Sequence, residues 1–242
     1  MKSLKLLGLL LSSSLICLTA SAQEKTQSPK QNEIIESLIK NENYEMNWFA
    51  VRDTVKIEIG KVFTEISRTK NILKVTTTVK MKNKPDWIDE TIAELPELKP
   101  IQHTSVNTQR EITLNFGKQT TGFYLDKIES KKTEINEKTD VAFFDSNIYP
   151  QLIRWFPLKE NYKTEITIFD YNPVTKAAII KANITGTKKG VYNNKPVWIV
   201  TVTDGISQNK VINTYYIDSE TNQFLKQEID MGAKKMILEK VN

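Results

Sequence analysis

The stretch Glu111-Ile112-Thr113-Leu114-Asn115-Phe116 decides the fold, because its apolar and polar residues strictly alternate. A period of two places Ile112, Leu114 and Phe116 on one face of a strand and the polar residues on the other, so one face is buried and one is wet. The same alternation recurs on both sides of it. Val75, Thr77, Val79 and Met81 alternate with lysine and threonine, and the chain from Trp48 onward is rich in Thr, Val, Ile and aromatic residues, which suit a pleated, half-buried surface.

Read this way, strands are expected near 48–58, 61–69, 72–81, 109–116, 119–126 and 128–136, and again near 162–170, 176–188, 196–204, 208–217, 222–230 and 234–240. Asn193-Asn194 and Asp204-Gly205 read as hairpin turns, since these residues tolerate positive φ. Val197-Trp198-Ile199-Val200-Thr201-Val202 is apolar on both alternations and reads as a central strand. Two segments break the pattern, Pro85–Pro100 and Asp145–Leu158, and each is expected to carry a short helix; a third short helix is expected over 34–39. About a dozen antiparallel strands exceed what one flat sheet holds. The expected fold is therefore mainly β: a single curled antiparallel sheet, a half-barrel or open barrel, wrapped on one or two short helices.

The chain begins with a basic Met1-Lys2-Ser3-Leu4-Lys5, an apolar run from Leu6 to about Ala20, and the small residues Ala20 and Ala22. This is the pattern of a secretory signal peptide over residues 1–22, with cleavage between Ala22 and Gln23 and a periplasmic or secreted product. Cys17 lies in the apolar run, but Ile16 stands where lipoprotein processing requires a small residue. Cleavage removes the single cysteine and two lysines from a formal charge of +5, which excludes disulfides and cysteine chemistry in the product. Residues 23–32 contain no apolar side chain and read as a flexible leader, followed by a single domain over 33–242. No later segment reaches the length of a transmembrane helix.

The inventory of reactive groups is thin. His103 is the sole histidine and reads as a solvated loop residue; no Gly-x-Ser-x-Gly elbow accompanies it, so no catalytic residues are assigned. One histidine cannot build a zinc site, and Asp86, Asp89 and Glu90, or Asp140 and Asp145, lack an EF-hand spacing, so neither metal nor cofactor is expected. Gly186-Thr187-Lys188-Lys189-Gly190 lacks the P-loop spacing and reads as a basic hairpin loop. Lys74, Lys80, Lys82 and Lys84 read as a solvated face, and no basic stripe with interleaved aromatics points to nucleic acid. What remains is aromatic. Trp155 and Phe156, with Trp48, Phe123, Trp198 and Tyr215 behind them, are the candidate lining of an apolar cavity under the curled sheet.

The succession Leu98-Lys99-Pro100, Phe144-Asp145, Leu152-Ile153-Arg154, Phe156-Pro157-Leu158, Tyr162 and Tyr216-Ile217-Asp218, closing on Leu225 and a last strand, resembles the exported bacterial family of domains of unknown function numbered 3108. The resemblance runs over about Trp48 to Val241. It implies the curled sheet of lipoprotein carriers and carries over no catalytic residues. Together these readings lead to an exported binding protein holding an apolar small molecule, a lipid or a lipidated partner. The rivals are an envelope protein-interaction domain with a solid core and a carboxylate-dependent hydrolase.

Overall fold

The computed structural model describes residues 25–174 and 179–241. The expected signal peptide, Cys17 and the cleavage point lie outside the described residues.

The first meander of strands comprises β2 (Glu42–Arg52), β3 (Val55–Arg68), β4 (Ile72–Met81), β5 (Trp87–Glu94), β6 (Lys99–Val106), β7 (Arg110–Phe116), β8 (Thr120–Asp126) and β9 (Lys131–Glu137). The second comprises β11 (Thr164–Phe169), β12 (Ile179–Tyr192), β13 (Lys195–Asp204), β14 (Ile212–Asp218), β15 (Phe224–Asp230) and β16 (Lys235–Lys240). Within each meander every strand pairs antiparallel with its sequence neighbour, and β16 pairs antiparallel with β2, so the two join into one sheet. Two-residue strands β1 (Thr26–Gln27) and β10 (Phe144–Asp145) lie end to end along the free edge of β11, both parallel to it. No ladder closes the sheet, whose path runs from β1 to β9.

The one α-helix among the described residues, α1 (Tyr149–Trp155), sits where the strand pattern breaks. Pro150 in its first turn is preorganised for helical φ. Its apolar side chains meet both meanders: Leu152, Ile153, Trp155 and the following Phe156 cluster with Ile66, Leu73 and Val75 of the first and with Ile166, Val200, Val202 and Ile217 of the second. The helix is the filling around which the sheet curls. A second cluster closes the open side, where Ile112 and Leu114 of β7 and Ile135 of β9 meet Phe143, Phe169 and Tyr171. There Phe116 packs edge-on against Phe143 at 5.5 Å and Phe169 at 5.4 Å.

Several expectations are corrected. Pro85–Pro100 holds β5 and a turn instead of a helix. Ile88, Ile92 and Leu95 have helical spacing, but Thr91 and Ala93 are the inward residues, Ile88 faces out, and β4 and β6 pair on both sides. Gly186–Gly190 is no loop: it lies inside β12, with a register shift between Ile184 and Gly186. The helix expected over 34–39 is a single 3-10 turn, Glu36–Leu38. Residues 25–32 of the expected flexible leader are docked. The Gln27 side chain is fully buried, its amide nitrogen donating to Thr164 Oγ1 at 3.0 Å and to Glu33 Oε2 at 3.2 Å, while its oxygen accepts from the Glu33 N–H at 2.9 Å. The Asn193-Asn194 turn is as expected, both residues having positive φ between Tyr192 and Lys195, which pair. After Asp204-Gly205 the positive φ falls instead on Gln208 and Asn209, because the connection is longer than two residues.

Candidate functional site

The six aromatic residues expected around a cavity do not share one environment. Trp155, Phe156 and Tyr215 are in the core around α1, and Trp48 and Trp198 pack against it. Phe123 is elsewhere, half-buried on β8, with the Lys132 ammonium 4.6 Å from its ring centre. Tyr215 packs on Phe224 at 5.4 Å and Phe156 on Tyr162 at 6.1 Å. Burial pushes the Tyr215 phenol well above its ordinary range. A side chain bordering a void wide enough for water would retain accessible surface. Trp155, Leu152, Ile153, Ile166, Val200, Val202 and Ile217 retain none. Around α1 the interior is therefore packed in the manner of a protein core.

Trp48 Nε1 and Trp155 Nε1 are buried in and against that core without a hydrogen-bond partner among the described residues. A second group of polar side chains lies at the seam, where β10 runs between β11 and β6. Asp145 on β10 reaches across it. Its Oδ2 accepts hydrogen bonds from Thr91 Oγ1 of β5 and, at 2.7 Å, from His103 Nδ1 of β6. Asn147 completes the bracket, its amide donating to Thr91 Oγ1 at 3.0 Å. His103 is thus a buried strand residue, not the solvated loop histidine expected, and its ring is held at one nitrogen. Burial pulls the imidazole pKa down, but the charge and hydrogen bond of Asp145, helped by Asp89, push harder, and the net shift is upward. Asp145 Oδ1 is buried with no hydrogen-bond partner among the described residues.

His103 faces a cleft of about 310 Å³ whose other walls include Trp87, Asp89, Arg110, Ser146 and Asp170, over a floor of Ile112, Leu114, Tyr171 and Ile206. Two of its acids are occupied. Asp89 Oδ1 accepts from Trp87 Nε1 at 3.0 Å, and Asp170 Oδ1 accepts from Ser146 Oγ at 2.9 Å. Burial raises the Asp170 pKa, against the opposing pull of Ser146, Arg110 and His103. The Arg110 guanidinium lies 5.9 Å from the Trp87 ring centre and has no carboxylate within ion-pair distance among the described residues. No group of three His, Cys, Asp or Glu that could hold a metal ion occurs among the described residues. Chemically the cleft offers an imidazole with one nitrogen fixed, a guanidinium without a carboxylate partner among the described residues, and an apolar floor.

Sequence reasoning missed this site because its parts are scattered: His103 and Asp145 are 42 residues apart. The one local signal was that His103 and Ser105 alternate with Gln102 and Thr104 as on a strand, although a register shift leaves the preceding Ile101 exposed.

No match is found among curated proteins. Among solved structures, the chain is similar to a β-barrel-like protein of the domain of unknown function DUF1849 from Brucella abortus, with a TM-score of 0.50 at 9% identity, covering 84% of this chain and 97% of that one. At that identity the likeness concerns the fold alone, and it agrees with the open, curled sheet. Residues 43–239 match the family described as "Protein of unknown function (DUF3108)", and the chain belongs to that family.

Proposed function

We propose that this protein is an exported binding domain that takes its ligand at its surface, in the seam cleft beside His103, and not inside the curled sheet. The observation that carries the reading is the contrast between the two places. The central residues around α1 have no accessible surface, so an acyl chain would have to displace packed side chains. The seam cleft is open and holds the Arg110 guanidinium, which has no carboxylate within ion-pair distance among the described residues. Export rests on the basic, apolar and small-residue succession of the first 22 residues; among the described residues no helix is long and apolar enough to cross a membrane.

Native mass spectrometry with lipid extraction, on protein purified from its host envelope without detergent, separates this reading from a lipid carrier. The expected result is a mass free of lipid. A stoichiometric lipid, retained by the wild type and lost on Phe156→Ala, would place the ligand in the interior and end the surface reading.

A further inference from the structure

We infer that the seam cleft binds a small organic monocarboxylate, its carboxylate held between Arg110 and His103 and its hydrocarbon part on the Ile112, Leu114 and Tyr171 floor; this rests on the seam cleft being the binding site.

Arg110 is a cation in the cleft wall that can hold an anion. A guanidinium presents a rigid planar fork that matches a carboxylate, and this one has no carboxylate of its own within ion-pair distance. The Trp87 ring, its centre 5.9 Å away, faces the guanidinium without using its N–H donors. His103 supplies the second donor. With Nδ1 fixed on Asp145 at 2.7 Å, Nε2 is the ring nitrogen left for a ligand, and His103 lines the cleft.

The other charged groups facing the cleft are Asp89 from β5 and Asp170 from the segment after β11, with Asp145 behind the imidazole. They set the charge limit on the ligand. Asp89 is engaged by Trp87 and Asp170 by Ser146, and burial favours the neutral form of Asp170. With Asp170 neutral, the Arg110 guanidinium and a protonated imidazole offset Asp89 and Asp145, so a monocarboxylate adds one negative charge to the cleft where a dianionic phosphate would add two. Size follows from volume: about 310 Å³ corresponds to about ten waters at roughly 30 Å³ each, the space of a small metabolite. The apolar floor favours a carboxylate with a hydrocarbon body over a bare inorganic anion.

The test uses the fact that His103 is the only histidine in the chain, so its imidazole protons give a single pair of NMR resonances. Butyrate and benzoate are titrated into the protein at pH 6, with butylamine and benzylamine as matched cations. The carboxylates are expected to move the His103 resonances and raise the imidazole pKa. Arg110→Gln is expected to weaken their binding at least tenfold, with Arg110→Lys intermediate, at an unchanged unfolding midpoint. Movement by the amines and not by the carboxylates would overturn the ligand class while leaving the seam cleft as the site. Resonances that neither series moves would overturn both the class and the seam-cleft reading. Carboxylate binding unaffected by Arg110→Gln would overturn the assignment of Arg110.

Discussion

His103 on β6 and Asp145 on β10 meet at 2.7 Å although the two strands share no backbone ladder. A side-chain contact there does what a strand pairing does elsewhere, and it is sensitive to protons. The folded imidazole has its pKa raised above the ordinary value, so its stabilising contribution is complete below about pH 6.5 and is lost as the pH rises through the folded value. His103→Gln is expected to cost on the order of 2 kcal/mol at pH 5.5, since a neutral amide cannot supply the imidazolium charge to the buried Asp145. Urea denaturation of both proteins at pH 5.5 and at pH 9 is the check. The difference between them should shrink at the higher pH, and a difference that grows would contradict the assignment.

The core around α1 makes the opposite kind of prediction, with no pH dependence. Phe156 is 1% exposed and Trp155 not at all. Replacing either with alanine should lower stability by about 3–5 kcal/mol by leaving a cavity. Binding of monocarboxylates to any surviving folded fraction should be unaffected, which titration at reduced temperature can show.

Arg154 is a cation enclosed by the fold. Its guanidinium pairs with Glu42, its Nε donates to Gln151 Oε1 at 2.9 Å, and it donates to the Asn222 carbonyl at 3.2 Å, with the rings of Tyr44, Trp155 and Phe224 around it. It ties α1 to the start of β2 and to the turn before β15. Arg154→Ala should cost about 3–5 kcal/mol, because the partner Glu42 is left without its charge. In a double-mutant cycle with Glu42→Gln, the two losses should sum to more than the double variant loses.

Gly122 on β8 has φ +152°, and a Cβ there would lie 1.8 Å from the Thr113 carbonyl oxygen on β7. Backbone cannot yield as a flexible side chain can, so Gly122→Ala should cost about 3 kcal/mol and force β7 and β8 apart locally. Hydrogen exchange should locate the damage: amides of β7 and β8 should lose protection while those of β13 and β14 keep theirs.

The parts of the fold that were legible in advance are the local ones. Ile112, Leu114 and Phe116 mark their strand because alternation needs no partner to be seen, and Asn193-Asn194 marks its turn because positive φ is a property of the residues themselves. The break in alternation over Asp145–Leu158 marked the place of α1 for the same reason. Four strands, β1, β5, β6 and β10, were missed. In β5 the spacing of Ile88, Ile92 and Leu95 imitates a helix, and only pairing with β4 and β6 decides against it. Gln27 reads as solvated leader until Thr164, 137 residues away, supplies its hydrogen bond. The seam site shared that fate. A lone histidine and an ordinary aspartate carry no mark of each other, and their meeting is a property of the curled sheet. The aromatics were conspicuous for the opposite reason: size and apolarity show in any sequence, but they do not distinguish a filled core from a lined cavity.

The pairing of β16 with β2 has a consequence for how the chain is threaded. Val241, just past β16, donates its N–H to the Glu45 carbonyl at 2.9 Å, so the end of the last long strand lies beside the beginning of the first. The two strands are placed as a hairpin that lacks only its turn. Were that turn supplied by a short linker, and the chain opened between β9 and β10, strand order along the sheet would equal order along the backbone from β11 through β16 and β2 to β9. The topology is a rotated copy of a plain up-and-down meander, in which the pairing of β16 with β2 stands in the place of a hairpin.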